Sequence, residues 1–183
     1  AKKNVVALDI TPAGGGGEMV EAELTVYDGT ASSSYVPVHG VNADYCMKSE
    51  MVMPAEDLAE MTDSDINGLK WEILSVSTQT SAWDGPFKIF MKEISSTTLS
   101  SYQGMDGATI VYQGPIDAHT STEITINFTT PYHYNGGNLL IGVYKEVYQS
   151  MVGWGSATFK GETSNSGVSI YGEGSTFGSI TNR

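Results

Sequence analysis

The stretch TTPYHYNGGNLLIGVY, residues 129–144, decides the reading of this chain. A polar and aromatic run reaches Asn135-Gly136-Gly137 and resumes as a nearly unbroken apolar segment. Ahead of it, Ile124, Ile126 and Phe128 alternate with Thr125 and Asn127, the period of a half-buried strand. The pattern predicts two antiparallel strands and their corner. Pro131 lacks an N–H and is expected to end the first ladder, the Asn-Gly-Gly supplies the turn, and 139–144 returns as a central strand with both faces apolar. Gly142 inside that strand marks a bulge or a close approach of another backbone.

The same period of two recurs outward from this hairpin. Val20, Ala22, Leu24 and Val26 alternate with Glu21, Glu23 and Thr25; Leu69, Trp71 and Ile73 share one face; Phe87, Ile89 and Met91 alternate with Lys88 and Lys92. Shorter strands are predicted at 108–114, 157–162 and 168–172, each bounded by Gly, Ser, Thr or Asn clusters. Helix is scarce. PAEDLAEM, 54–61, has Pro first, acids in its first turn and Leu58 and Met61 three apart, and a further turn is expected at 97–102. Many short strands with almost no helix between them define an all-β, antiparallel β-sandwich of jelly-roll or immunoglobulin-like type with one or two short helical turns.

At 183 residues the chain can bury roughly 70% of its unfolded surface without covalent staples. Its single Cys46 forms no intramolecular disulfide and reads as a small buried hydrophobe. Nine Lys and Arg against 21 Asp and Glu give a net charge of −12, which repels phosphate backbones and anionic lipid. Nucleic acid is not an expected partner, nor is membrane insertion, since no apolar run reaches spanning length. Residues 1–19 read as an N-terminal strand and a Gly-rich joint, Gly14 to Gly17, ahead of a β-sandwich domain at 20–183. The apolar arm at 5–10 is expected to form an edge strand of the same sandwich rather than to reach another chain.

Four blocks, MPAEDLAEM with INGLKWEI, FKIFMKEISSTTLSSY, ATIVYQG and ITINFTTPYHYNGGNLLIGVY, cover about residues 45–145. Together they resemble the extracellular β-sandwich domains that recur in secreted and cell-surface proteins of Bacteroidetes. The resemblance implies an extracellular or cell-surface location and a non-catalytic role in adhesion or carbohydrate binding, and no catalytic residue is carried over from it. Its partners would be a glycan or a cell-surface protein, together with neighbouring domains of the same surface protein.

Three chemical signals stand beside that resemblance. Asp63, Asp65 and Asn67, followed by Gly68, copy the D-x-D-x-N-G opening of a calcium loop, although the twelfth position is Leu74 instead of the bidentate Glu. Calcium, if bound, would be structural, and no other cofactor is expected. Aromatic rings in loop contexts, Trp83 beside Asp84 and Trp154 with Tyr148 and Gln149, pair flat stacking surfaces with polar groups suited to sugar hydroxyls; capping the ends of the core is their alternative use. Tyr102 is a further loop aromatic, whereas Trp71 in mid-strand reads as core. His39, His119 and His133 are scattered without metal-ligand spacing. No local nucleophile and base pair suggests an enzyme. A structural spacer or fibre subunit of a multidomain surface protein is the alternative function, with a glycoside hydrolase domain ranked third.

Overall fold

The computed structural model describes residues 2–4, 6–12, 22–27, 29–38, 45–76, 85–116, 122–149, 157–163 and 167–182, with backbone only for 2–12 and 22. In chain order the strands are β1 (Lys2–Asn4), β2 (Val6–Pro12), β3 (Ala22–Thr25), β4 (Ala31–Ser33), β5 (Cys46–Met53), β6 (Ser64–Val76) and β7 (Phe87–Ile94). They are followed by β8 (Thr109–Gly114), β9 (Glu123–Tyr134), β10 (Asn138–Lys145), β11 (Ala157–Thr163) and β12 (Ser169–Gly174). One antiparallel sheet has the order β1-β11-β6-β2-β3, with β4 also on β11 and β9 also on β6; the other runs β12-β5-β10-β7-β8. The all-β sandwich read from the alternating pattern is the observed architecture.

The alternation explains the core. Met47, Met51 and Met53 of β5, Phe87 and Ile89 of β7, and Leu139, Ile141 and Val143 of β10 are buried in one cluster with Ile66, Leu69 and Trp71 of β6 and Ile124 and Ile126 of β9. Each contributes roughly 1.5 to 3 kcal/mol by leaving water, before ordering costs. The predicted short helix is a 3-10 turn at Ala55–Met61 whose Leu58 and Met61 plug one end of this core. Cys46 is buried as expected.

The five-stranded sheet is covered on its outer face too. Val52, Phe90, Leu140, Tyr144 and Ile170 form a second cluster with Leu99, against which Tyr102, Met105 and Phe177 pack. A sheet buried on both sides has no polar face, which is why β10, between β5 and β7, is apolar throughout. Glu50 lies fully buried in this second layer. Its carboxylate accepts the Gln103 N–H at 2.7 Å, the Gly104 N–H at 2.9 Å and the Tyr144 hydroxyl. Burial and the Glu50 carboxylate both raise the Tyr144 phenol pKa. Lys48 Nζ sits 4.4 Å from the Phe177 ring centroid and 5.4 Å from that of Tyr102, tying the C-terminal turn to the 95–108 loop.

Several expectations are corrected. Segment 97–102 is not helical; its Leu99 N–H is held by Gly167 O at 2.5 Å, so tertiary pairing replaces the local turn. Pro131 does not end β9. Residues 123–127 and 132–134 both pair with β6, and 128–131 fall at the register shift between them, where a missing N–H costs no ladder bond. There Thr129 Oγ1 donates to Val111 O at 3.1 Å, joining β9 to the other sheet. Gly142 is neither a bulge nor a backbone crossing: it keeps register with Phe90 and Glu50, and the Phe90 ring fills the space a Cβ would need. The N-terminal arm does pair within this chain's sheet, but not at its edge, because β3 lies along the side of β2 opposite β6. The Gly14 to Gly17 joint is outside the described residues.

Candidate functional site

β10 runs antiparallel to both β5 and β7, so its end meets their beginnings. Register pairs Lys145 with Met47 on one side and Phe87 on the other, which gathers Tyr45, Gly85 and 146–149 at one end of the sandwich. Two of the sequence candidates, Tyr148 and Gln149, belong to this cluster. The Tyr148 ring is exposed and sits 5.5 Å from the half-buried Tyr45 ring at 36°. Val147 beside it is also exposed. Gln149 Oε1 is buried without a hydrogen-bond partner, and a Cβ at Gly85 would stand 2.7 Å from it and 2.7 Å from Lys145 Cε. Any side chain there would require the Gln149 or Lys145 side chain to shift, so Gly85 lets the chain pass close against Gln149. Trp83, Asp84 and Trp154 themselves lie outside the described residues, as do His39 and His119.

The floor of this end is charged but closed. Lys145 is fully buried with Nζ 5.9 Å from the Phe87 ring centroid. Lys88 Nζ pairs with Glu146 Oε2 at 2.6 Å, and Cys46 donates its S–H to Glu146 O at 3.3 Å. Burial pushes the Cys46 thiol up despite the nearby Lys145 charge, so it is a packed group instead of a nucleophile. The partner missing from the sequence reading is Tyr45; its only signal was its place just ahead of β5, a strand whose Lys48-Ser49-Glu50 centre hid it.

The opposite end holds the second candidate set. β6 extends through Ser64–Val76, so Asp65 and Asn67 lie along a strand instead of curling round an ion, and Leu74 is at the far end of that strand. This extended course differs from the turning loop that the D-x-D-x-N-G opening belongs to in calcium sites. His133 of β9 meets these acids, with Nδ1 2.8 Å from Asp65 Oδ1 and Nε2 3.4 Å from Asp63 Oδ1. The hydrogen bond to Asp65, helped by the Asp65 and Asp63 carboxylate charges, raises the His133 pKa against the opposing effect of desolvation. Across the turn, Glu93 accepts the N–H groups of Asn135 and Gly137, each at 2.7 Å. Burial pulls its carboxyl upward, but these bonds and the Asn135 side chain outweigh it and hold the pKa low.

The two shifts define the pH dependence of this corner. Glu93, with its pKa lowered, contributes stability above its ordinary value of 4.5 and loses it as pH falls through the lower folded value. His133, with its pKa raised, contributes below its ordinary value of 6.5 and loses it as pH rises through the higher folded value. The β9–β10 corner should therefore be best protected between those two ordinary values. Amide exchange of 135–138 measured across pH is the check: protection that climbs steadily from acid to alkaline pH, after correction for intrinsic exchange, would contradict it. The His133→Gln variant should lose only the alkaline limb.

The chain matches no protein-family model, no curated protein and no solved structure. No helix among the described residues is long and apolar enough to cross a membrane.

Proposed function

We propose that this β-sandwich is a non-catalytic adhesion or carbohydrate-binding module of the extracellular space or cell surface, binding through the end that carries Tyr45, Tyr148 and Gln149. The observation that carries this is the exposed Tyr148 ring beside the half-buried Tyr45 ring, just beyond the end of β10. A flat ring stacks on the apolar face of a pyranose. Trp83, Asp84 and Trp154, close in sequence to Gly85 and Gln149, are proposed as further ligand contacts on their residue types alone. Structural calcium remains a subordinate proposal, to be tested by the effect of chelator on the melting temperature.

A glycan array tests the reading against its competitors. Specific binding should fall about 5- to 30-fold in Tyr148→Ala, the effect of losing one central aromatic anchor, and Trp83→Ala and Trp154→Ala should weaken it as well. Binding that ignores all three substitutions would move the site elsewhere. A silent array would favour the spacer or fibre subunit, and hydrolysis of an arrayed sugar would favour the enzyme.

A further inference from the structure

Resting on the carbohydrate-binding reading, we infer that the Tyr45–Tyr148–Gln149 end selects uncharged glycans and rejects those bearing carboxylate or sulfate groups. Proteins that bind acidic sugars present an ammonium or guanidinium to the anion, because a carboxylate stripped of water without one is costly. Among the described residues, this end exposes no uncommitted lysine or arginine: Lys88 is bound to Glu146 at 2.6 Å, and Lys145 is fully buried beneath the surface. In sequence, the stretches adjoining Tyr45, Gly85 and Gln149, residues 39–46, 77–87 and 146–157, contain His39, Asp44, Asp84 and Glu146 but no Lys or Arg.

The pattern extends over the molecule. Every other lysine with a described side chain is engaged: Lys70 with Glu23, Lys160 with Glu72 at 2.9 Å, Lys92 with the carbonyls of Gln103 and Asp106 at 3.0 Å, and Lys48 over aromatic rings. With a net charge of −12, the surrounding field also opposes an approaching anion.

The experiment uses matched pairs: N-acetyllactosamine with and without a terminal sialic acid, and cello-oligosaccharide against oligogalacturonate, each titrated at low and at raised salt. The neutral member of at least one pair should bind, with an affinity that salt hardly changes. Its acidic counterpart should bind at least about tenfold more weakly, the penalty of unmatched like charge. Because screening relieves repulsion, that gap should narrow as salt rises. Glu146→Gln, which releases Lys88, should narrow it several-fold at low salt. Acidic members that bind as well as or better than the neutral ones, with affinity falling as salt rises, would overturn the selectivity and leave the carbohydrate reading standing. Failure of both members of every pair to bind would overturn the carbohydrate reading and the selectivity with it.

Discussion

Deleting residues 1–13 is expected to abolish cooperative unfolding. The segment carries β1 and β2, and β2 is a bridge between two other strands. Val6–Pro12 pairs with the run from Trp71 back to Ser64, and residues 7–10 pair with Thr25 back to Ala22. Its removal leaves the first half of β6 without a neighbour on one side and gives β3 nothing to pair with. Its ladders on both sides are lost together, and at roughly 0.5 to 1.5 kcal/mol per hydrogen bond their sum is comparable with the ~5 to 15 kcal/mol total stability of an ordinary domain. Calorimetry of the truncated protein should show no sharp transition. Addition of a peptide spanning residues 2–13 should restore one, because the edge of β6 would still be offered. A truncated monomer that keeps its full melting temperature would mean that this pairing stabilises nothing.

Glu50→Ala should cost roughly 3 to 5 kcal/mol, since one buried and two part-buried donors lose their acceptor at about 1 to 3 kcal/mol each and the site relaxes only in part. The donors are the N–H groups of Gln103 and Gly104 and the Tyr144 hydroxyl. The loss would fall first on the 95–108 loop and the C-terminal turn, whose Tyr102, Met105 and Phe177 cover the outer face of the five-stranded sheet. Exposure of that face should appear as dye binding below the melting temperature. Glu50→Gln keeps one acceptor oxygen, so it should cost less than half as much. Equal losses in the two variants would show that side-chain volume, not hydrogen bonding, holds the layer.

Elements with a single buried face could be read in advance. In most of β6 and the first part of β9 the alternation holds because one side meets the other sheet and the opposite side is more polar; in β7 Lys88 and Lys92 kept the period visible although Phe90 is buried on the outer face. β10 was legible for a different reason, as its double apolarity admits only a central strand. β5 was missed. Its sequence CMKSEMVM places Lys48, Ser49 and Glu50 in mid-strand, yet Ser49 and Glu50 are buried, and nothing local announces that Glu50 has three donors waiting beyond residue 100. The segment Asp63 to Asn67 shows the converse: its spacing is that of a loop, while from Ser64 onward pairing with β2 and β9 makes it strand.

The candidate site divides the same way. Tyr148 and Gln149 could be named because aromatic and amide groups after a strong strand are visible in one dimension. Their companion Tyr45, the glycine at 85 that admits Gln149, and the Lys88–Glu146 pair that removes a cation from this end are separated in sequence by some 40 to 100 residues. By itself the sequence determined the sandwich, since side-chain period and turn chemistry are local and act on every strand alike. Only the tertiary structure decided which strand ends meet, which polar groups find partners and that β2 lies between β6 and β3, because each of those depends on register between segments whose attraction is the non-directional burial of apolar surface.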